Sequence, residues 1–137
     1  MDNRPIGIFD SGLGGLTGLK ALRELLPEEN IIYFADSGRL PYGEKTRAQL
    51  RCMAEQNLRF LSGFGVKAIL VACGTMSSNA ADILEAWPVP AVGVLSSSAD
   101  WMRRLPGNIF QIIYHLPPFL PGCRIGIPEI IIVIAAV

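Results

Sequence analysis

Four short apolar runs constrain this chain more than any other feature. They are Ile6–Phe9, Ile31–Ala35, Val66–Ala72 (broken only by Lys67) and Ala91–Leu95. Each is long enough for a strand and too short for a helix. The segments between them have helical spacing. Leu16, Leu19, Leu22 and Leu26 recur near 3.6 residues until Pro27 ends the pattern. A second helix is predicted from about Thr46 to Ser62, with Leu50, Met53, Leu58 and Leu61 toward the core and Gly63 and Gly65 stopping it. A third helix is predicted to run to Trp87, with Thr75, Ser77, Ser78 and Asn79 as candidate caps. Ser96-Ser97-Ser98 offers a further helix start. Strands alternating with helices require a parallel sheet, and its crossovers are right-handed. The expected fold class is α/β: a doubly wound parallel sheet with helices on both faces. Continuously apolar strands predict burial on both faces as well.

Composition removes several function classes. Half of the 137 residues are hydrophobic, 18% are charged, and the formal net charge is zero. That is enough apolar material for a core, so a disordered chain is excluded. A nucleic-acid binder would carry a clustered basic excess, which is lacking. Three cysteines make no disulfide scaffold, and their odd number suits a reducing cytoplasm. Met1 to Pro5 opens with Asp2 and Arg4 and leads into no apolar signal region, so no leader is expected. The chain changes character near residue 100. The segment 101–137 sets Arg103, Arg104 and Arg124 against Glu129 alone, and it holds five of the ten prolines. The expected organisation is an α/β domain over 1–98 and a divergent tail over 99–137. Within that tail, Ile130–Val137 is too short to cross a bilayer, which takes about 20 residues. It is expected to be a strand wherever a sheet position is open, and an aggregation hazard if exposed. Trp101 and Met102 are expected to pack, and His115 to be a surface or satisfied histidine.

In a doubly wound sheet the ligand crevice lies beyond the carboxyl ends of the strands. Asp10, Ser11, Asp36, Tyr42, Cys73 and Thr75 all fall there, on three different loops. The glycine loop Gly12-Leu13-Gly14-Gly15 is not a dinucleotide fingerprint, because position 17 is Thr, and there is no phosphate-loop lysine. Asp10 at its mouth would repel a pyrophosphate, whereas a carboxylate beside a thiol can orient it or manage its proton. Cys73 follows a strand and sits at or just before a helix start, where the dipole and free N–H groups favour a thiolate. Cys52, inside the second helix, is expected to be a buried, inert hydrophobe.

Three segments carry a resemblance. Gly7-Ile8-Phe9-Asp10-Ser11-Gly12-Leu13-Gly14-Gly15, Asp36-Ser37-Gly38-Arg39-Leu40-Pro41-Tyr42-Gly43 and Ala72-Cys73-Gly74-Thr75 occur in order and at suitable spacing. Together they resemble the glutamate racemases of the cofactor-independent aspartate/glutamate racemase family, over residues 6 to about 98. The resemblance implies racemisation by two cysteines on opposite faces of glutamate, without pyridoxal phosphate or metal. One thiolate removes the α-proton and the other thiol supplies one. The product D-glutamate serves bacterial peptidoglycan synthesis, and with it the cell wall and cell shape. Cys73 matches one of the two proton-transfer residues, and Asp10 would support its ionisation. Ser11, the pair Tyr42 and Gly43, and the pair Gly74 and Thr75 match substrate-binding positions. The expected small-molecule partner is glutamate, with no cofactor, metal, nucleic acid or membrane, and with a homodimer left open.

Two departures qualify this resemblance. The family usually has Asn after the first cysteine, and here it is Gly74. A hydrogen bond lost to a charged group costs roughly 1.5–3 kcal/mol. The second half of the family's site, with a Gly-Cys-Thr-His-type motif, has no counterpart here. Cys123 lies in Pro121-Gly122-Cys123-Arg124-Ile125, without the Thr-His pair. Residues 101–137 match nothing in the family, as a truncated, frame-shifted or fused end would. The alternative expectation is an inactive fragment, or a binding domain for acidic amino acids. An aspartate or hydantoin racemase relative is a third; Asp10-Ser11-Gly12 with Pro41-Tyr42-Gly43 favours the glutamate branch over it.

Overall fold

The computed structural model describes residues 2–95 and the backbone of 130–134. Trp101, Met102, His115 and Cys123 lie outside the described residues. Strand β1 (Ile6–Asp10) leads through the glycine loop to α1 (Leu16–Leu25), then to β2 (Ile31–Ala35). Two single 3₁₀ turns, Ser37–Arg39 and Tyr42–Glu44, flank a cis Leu40–Pro41 bond. Then come α2 (Arg47–Ser62), β3 (Ala68–Val71), α3 (Gly74–Asn79), α4 (Ala81–Glu85) and β4 (Ala91–Gly93). A last strand, β5 (Ile130–Ile134), takes an open sheet position beside β2. All pairings are parallel, in the order β4-β3-β1-β2-β5. The chain winds outward from β1 to β2, then returns across β1 to β3. That reversal makes the gap between β1 and β3 the topological switch point.

Helices cover both faces, as expected for a doubly wound sheet. On one face, α1 places Leu19, with Leu16 and Leu22, against Ile8, Ile31, Tyr33 and Ala35. On the other, α2, α3 and α4 cover Phe9, Ile32, Phe34, Ile69 and Val71. Helix α2 starts where its pattern predicts. Thr46 caps it, accepting from the Gln49 N–H at 3.3 Å while the Gln49 side chain accepts from the Thr46 N–H at 2.8 Å. Its end is followed by Gly65, whose φ of 68° suits glycine. Leu50, Met53, Leu58 and Leu61 are all buried.

Four expectations need correction. Burial of every strand on both faces fails for β3 and β4: Ile69 and Val71 are buried, Leu70 is half-buried, and Val92 is exposed. On that second face the cluster built on α1 centres on β1 and β2 and reaches β3 only at Leu70. The single third helix is two short ones that meet at Ala80 (φ −132°, ψ 24°). Ser78 Oγ and Asn79 Nδ2 both donate to the Thr75 carbonyl, at 3.0 and 2.8 Å, competing with the helical ladder. Those polar residues therefore end the helix, and Cys73 is its cap residue. Strand β4 stops at Gly93 rather than Leu95, and helical geometry begins at Val94. Leu26, expected on the apolar stripe of α1, is exposed at its C-cap.

Candidate functional site

The ends of β2, β1 and β3 lie side by side. The Asp36 N–H donates to the Asp10 carbonyl at 3.0 Å, and the Ala72 N–H to the Phe9 carbonyl at 2.8 Å. The three loops singled out in the sequence are thus brought to one rim at the switch point. Cys73 lies two residues beyond the end of β3, at the cap of α3, and is buried. The first N–H groups of a helix lack intrahelical partners, so Gly74 and Thr75 offer theirs at that rim. Ser77 stiffens the turn from below. Its N–H and its hydroxyl both reach the Cys73 carbonyl at 2.9 Å, and the hydroxyl also lies 3.1 Å from the Val71 carbonyl.

Asp10 is buried and holds its own loop. Its Oδ2 accepts from the Gly12 N–H at 3.2 Å and the Gly15 N–H at 2.9 Å. Gly15 packs so closely that a Cβ there would stand 2.7 Å from Asp10 Cβ and 2.9 Å from Ala72 Cβ. Gly15 is therefore fixed by close approach over the ends of β1 and β3, whereas a Cβ on Gly12 or Gly14 would meet its nearest neighbour at an ordinary 3.7 or 3.8 Å. Tyr33 pins the glycine loop from beneath by donating to the Gly12 carbonyl at 2.9 Å. Ser11 and Thr75 are half-buried, and neither hydroxyl has a hydrogen-bond partner among the described residues.

The second loop contains a network the sequence did not reveal. Tyr42 is buried, and its hydroxyl donates to the Asp36 carboxylate. Arg39 Nε and Nη2 reach the same carboxylate at 2.9 and 2.7 Å. Asn57, on α2, donates from Nδ2 to Asp36 Oδ2 and to the Tyr42 hydroxyl, each at 3.3 Å. Burial, then the Asp36 hydrogen bond and charge, push the Tyr42 phenol far above its ordinary range. The phenol is thus turned inward, into its hydrogen bonds with Asp36 and Asn57. Gly43 is exposed, with nothing within 4 Å of the place a Cβ would take. Asn57 did leave a signal: it is a polar residue at i+4 from Met53 and i+7 from Leu50, on the apolar stripe.

Cys52 is exposed rather than buried, because it lies off the stripe formed by Leu50, Met53, Ala54, Asn57, Leu58 and Leu61. It lines an open cavity of about 240 Å³ with Arg39, Lys45, Gln49, Met53 and Gln56. None of the strand-end candidates lines that cavity. Among the described residues no cluster of three or more His, Cys, Asp or Glu side chains could hold a metal ion. No described helix is long and apolar enough to cross a membrane.

No family model matches the chain. Individual proteins do. It is 54% identical over 100 residues to the glutamate racemase of Thermus thermophilus, covering 72% of this chain and 39% of that protein. It is 47% identical over 98 residues to the glutamate racemase of Chlorobaculum tepidum, covering 70% and 36%. Among solved structures, the Thermus thermophilus glutamate racemase in complex with β-chloro-D-alanine superposes with a TM-score of 0.71 at 50% identity, over 76% of this chain and 41% of that one. The Francisella tularensis glutamate racemase in complex with D-glutamate gives 0.71 at 47% identity, over 77% and 40%. The chain thus spans about two fifths of the length of these relatives. Over that span the chain is similar, in sequence and in fold, to the glutamate racemases.

Proposed function

We propose that this chain supplies one wall of a glutamate racemase site, with Cys73 as one of two proton-transfer residues. What supports the proposal is that β2, β1 and β3 end side by side, so that the loops carrying Asp36, Asp10 and Cys73 leave the sheet from neighbouring strands. Cys73 abstracts or returns the α-proton on one face of glutamate. A second thiol, on a wall beyond residues 1–98, serves the other face. An amino-acid α-proton is very weakly acidic, so the base needs a dry, preorganised site. A buried thiol on a stiff turn fits that requirement. Backbone N–H groups of Gly43, Gly74 and Thr75, with the Ser11 and Thr75 hydroxyls, hold the substrate's carboxylates. Asp10 orients the loop over the thiol and supports its ionisation. No cofactor enters this scheme. The setting is the bacterial cytoplasm, and the product goes to peptidoglycan.

The test is to incubate the purified chain with each glutamate enantiomer in D₂O, following α-proton exchange by NMR and optical rotation. Exchange with retained configuration, lost in Cys73→Ala, is the expected result for one wall acting alone. Full racemisation by this chain would overturn the claim that a second wall is required. No exchange and no glutamate binding would remove the racemase reading of the rim.

A further inference from the structure

Asn57 is 2% exposed on a helix face otherwise lined by Leu50, Met53, Ala54, Leu58 and Leu61. A leucine there would extend the apolar stripe, and an amide buried without partners is costly. Both ends of this amide are used. Nδ2 donates to Asp36 Oδ2 and the Tyr42 hydroxyl, and Oδ1 accepts from Arg39 Nη2. Arg39 Nη1 adds a bond to Gln56 Oε1 at 2.6 Å, one residue earlier on α2. The segment from Asp36 to Glu44 contains only two single turns and has no sheet ladder of its own. Its attachment to the body of the fold therefore runs largely through these side chains. A Cβ placed on Gly43 would meet nothing within 4 Å, so no neighbouring side chain packs on that side of it.

We propose that Asn57 is a positioning residue, tying Asp36, Arg39 and Tyr42 to α2 and so fixing where the Tyr42–Gly43 backbone stands on the rim. This rests on the reading of that backbone as a substrate contact, and it assigns the control of its geometry to a residue that never meets the substrate. The amide is specific to the task. An aspartate would turn its donors into acceptors facing Asp36, and an alanine would leave Asp36 and Arg39 each short of a partner.

The experiment compares ¹⁵N relaxation of the full chain and of Asn57→Ala, followed by a D-glutamate titration of both. The Gly43 N–H order parameter is expected to fall from the rigid range, about 0.85, to below about 0.6, while Gly15 and Thr75 stay rigid. The glutamate dissociation constant is expected to rise about tenfold. An unchanged Gly43 in a folded Asn57→Ala would overturn the proposal, and so would equal loosening of all three loops. If Asn57→Ala fails to fold, Tyr42→Phe removes a single tie and must show the same selective loss at Gly43; an unchanged value there overturns the proposal. If the unaltered chain binds no glutamate, the functional reading fails, and the relaxation comparison still decides the positioning role.

Discussion

Single residues at the rim differ sharply in how much change they tolerate. Gly15 has no room, since its missing Cβ would press on Asp10 and Ala72. Gly15→Ala is expected to cost about 1–3 kcal/mol by overpacking. Gly43→Ala, into open space, is expected to stay within about 0.5 kcal/mol. Thermal melts of both variants check the contrast, and equal losses would contradict it. Gly74 is also open, with nothing within 4 Å of a Cβ. Gly74→Asn introduces the side chain that the resemblance leads one to expect after Cys73. It is expected to tighten D-glutamate binding about tenfold by calorimetry; unchanged affinity would show that the backbone N–H already suffices. Tyr33 and Tyr42 are both held above the ordinary phenol range. Burial is the main cause in each; the Asp10 charge adds to it for Tyr33, and the Asp36 hydrogen bond for Tyr42. A phenol raised on folding contributes stability that is whole below about pH 10 and is lost as pH rises beyond it. In an absorbance titration these two phenols are expected to stay silent around pH 10 and to ionise only with unfolding. Normal ionisation of both in a folded chain would contradict their burial.

At the scale of elements, α2 is the organiser. It covers one sheet face, carries the Asn57 network, and reaches α4 through a two-pronged pair. Arg51 Nη1 and Nη2 meet Asp82 Oδ1 and Oδ2 at 2.6 and 2.8 Å. The Arg51 hydrogen bond holds the Asp82 carboxyl at about 2, below its ordinary 3.8. A depressed carboxyl stabilises the fold above its unfolded value and loses that effect as pH falls through the folded one. A small gap in melting temperature between the chain and Asp82→Asn is therefore expected near pH 6 and should close by about pH 2. A gap that persists in acid would assign the stabilisation to something other than this pair. Much of the element scale was legible beforehand. Apolar spacing placed α1 and α2, and Thr46 marked the start of α2, because periodicity and capping are local properties. The break at Ala80 was missed because Ser78 and Asn79 suit a cap and a stop equally; only their bonds to Thr75 decide. The half-exposed β3 and the inward phenol of Tyr42 were not legible either. They depend on which helix covers which face and on a partner fifteen residues away on α2.

On the scale of the whole molecule, the two described cysteines are set apart by burial, with Cys73 4% exposed and Cys52 on the outer surface of α2. A maleimide applied to the native chain is expected to modify Cys52 well before Cys73, as peptide mapping would show; equal rates would mean that the turn after β3 opens readily. The strand order adds a temporal consequence. The crevice lies between β1 and β3, which become neighbours only after β2 and α2 have been threaded between them in sequence. Contacts between distant parts of a chain require costly loop closure and form late in folding. The β1–β3 contact, between Ile6 and Ala68, is therefore expected to close after the more local β1–α1–β2 unit, whose strands pair Ile6 with Ile31. A Cys73 thiol that escapes a brief alkylation pulse during refolding is a clock hand, marking the moment at which the turn after β3 has closed over it.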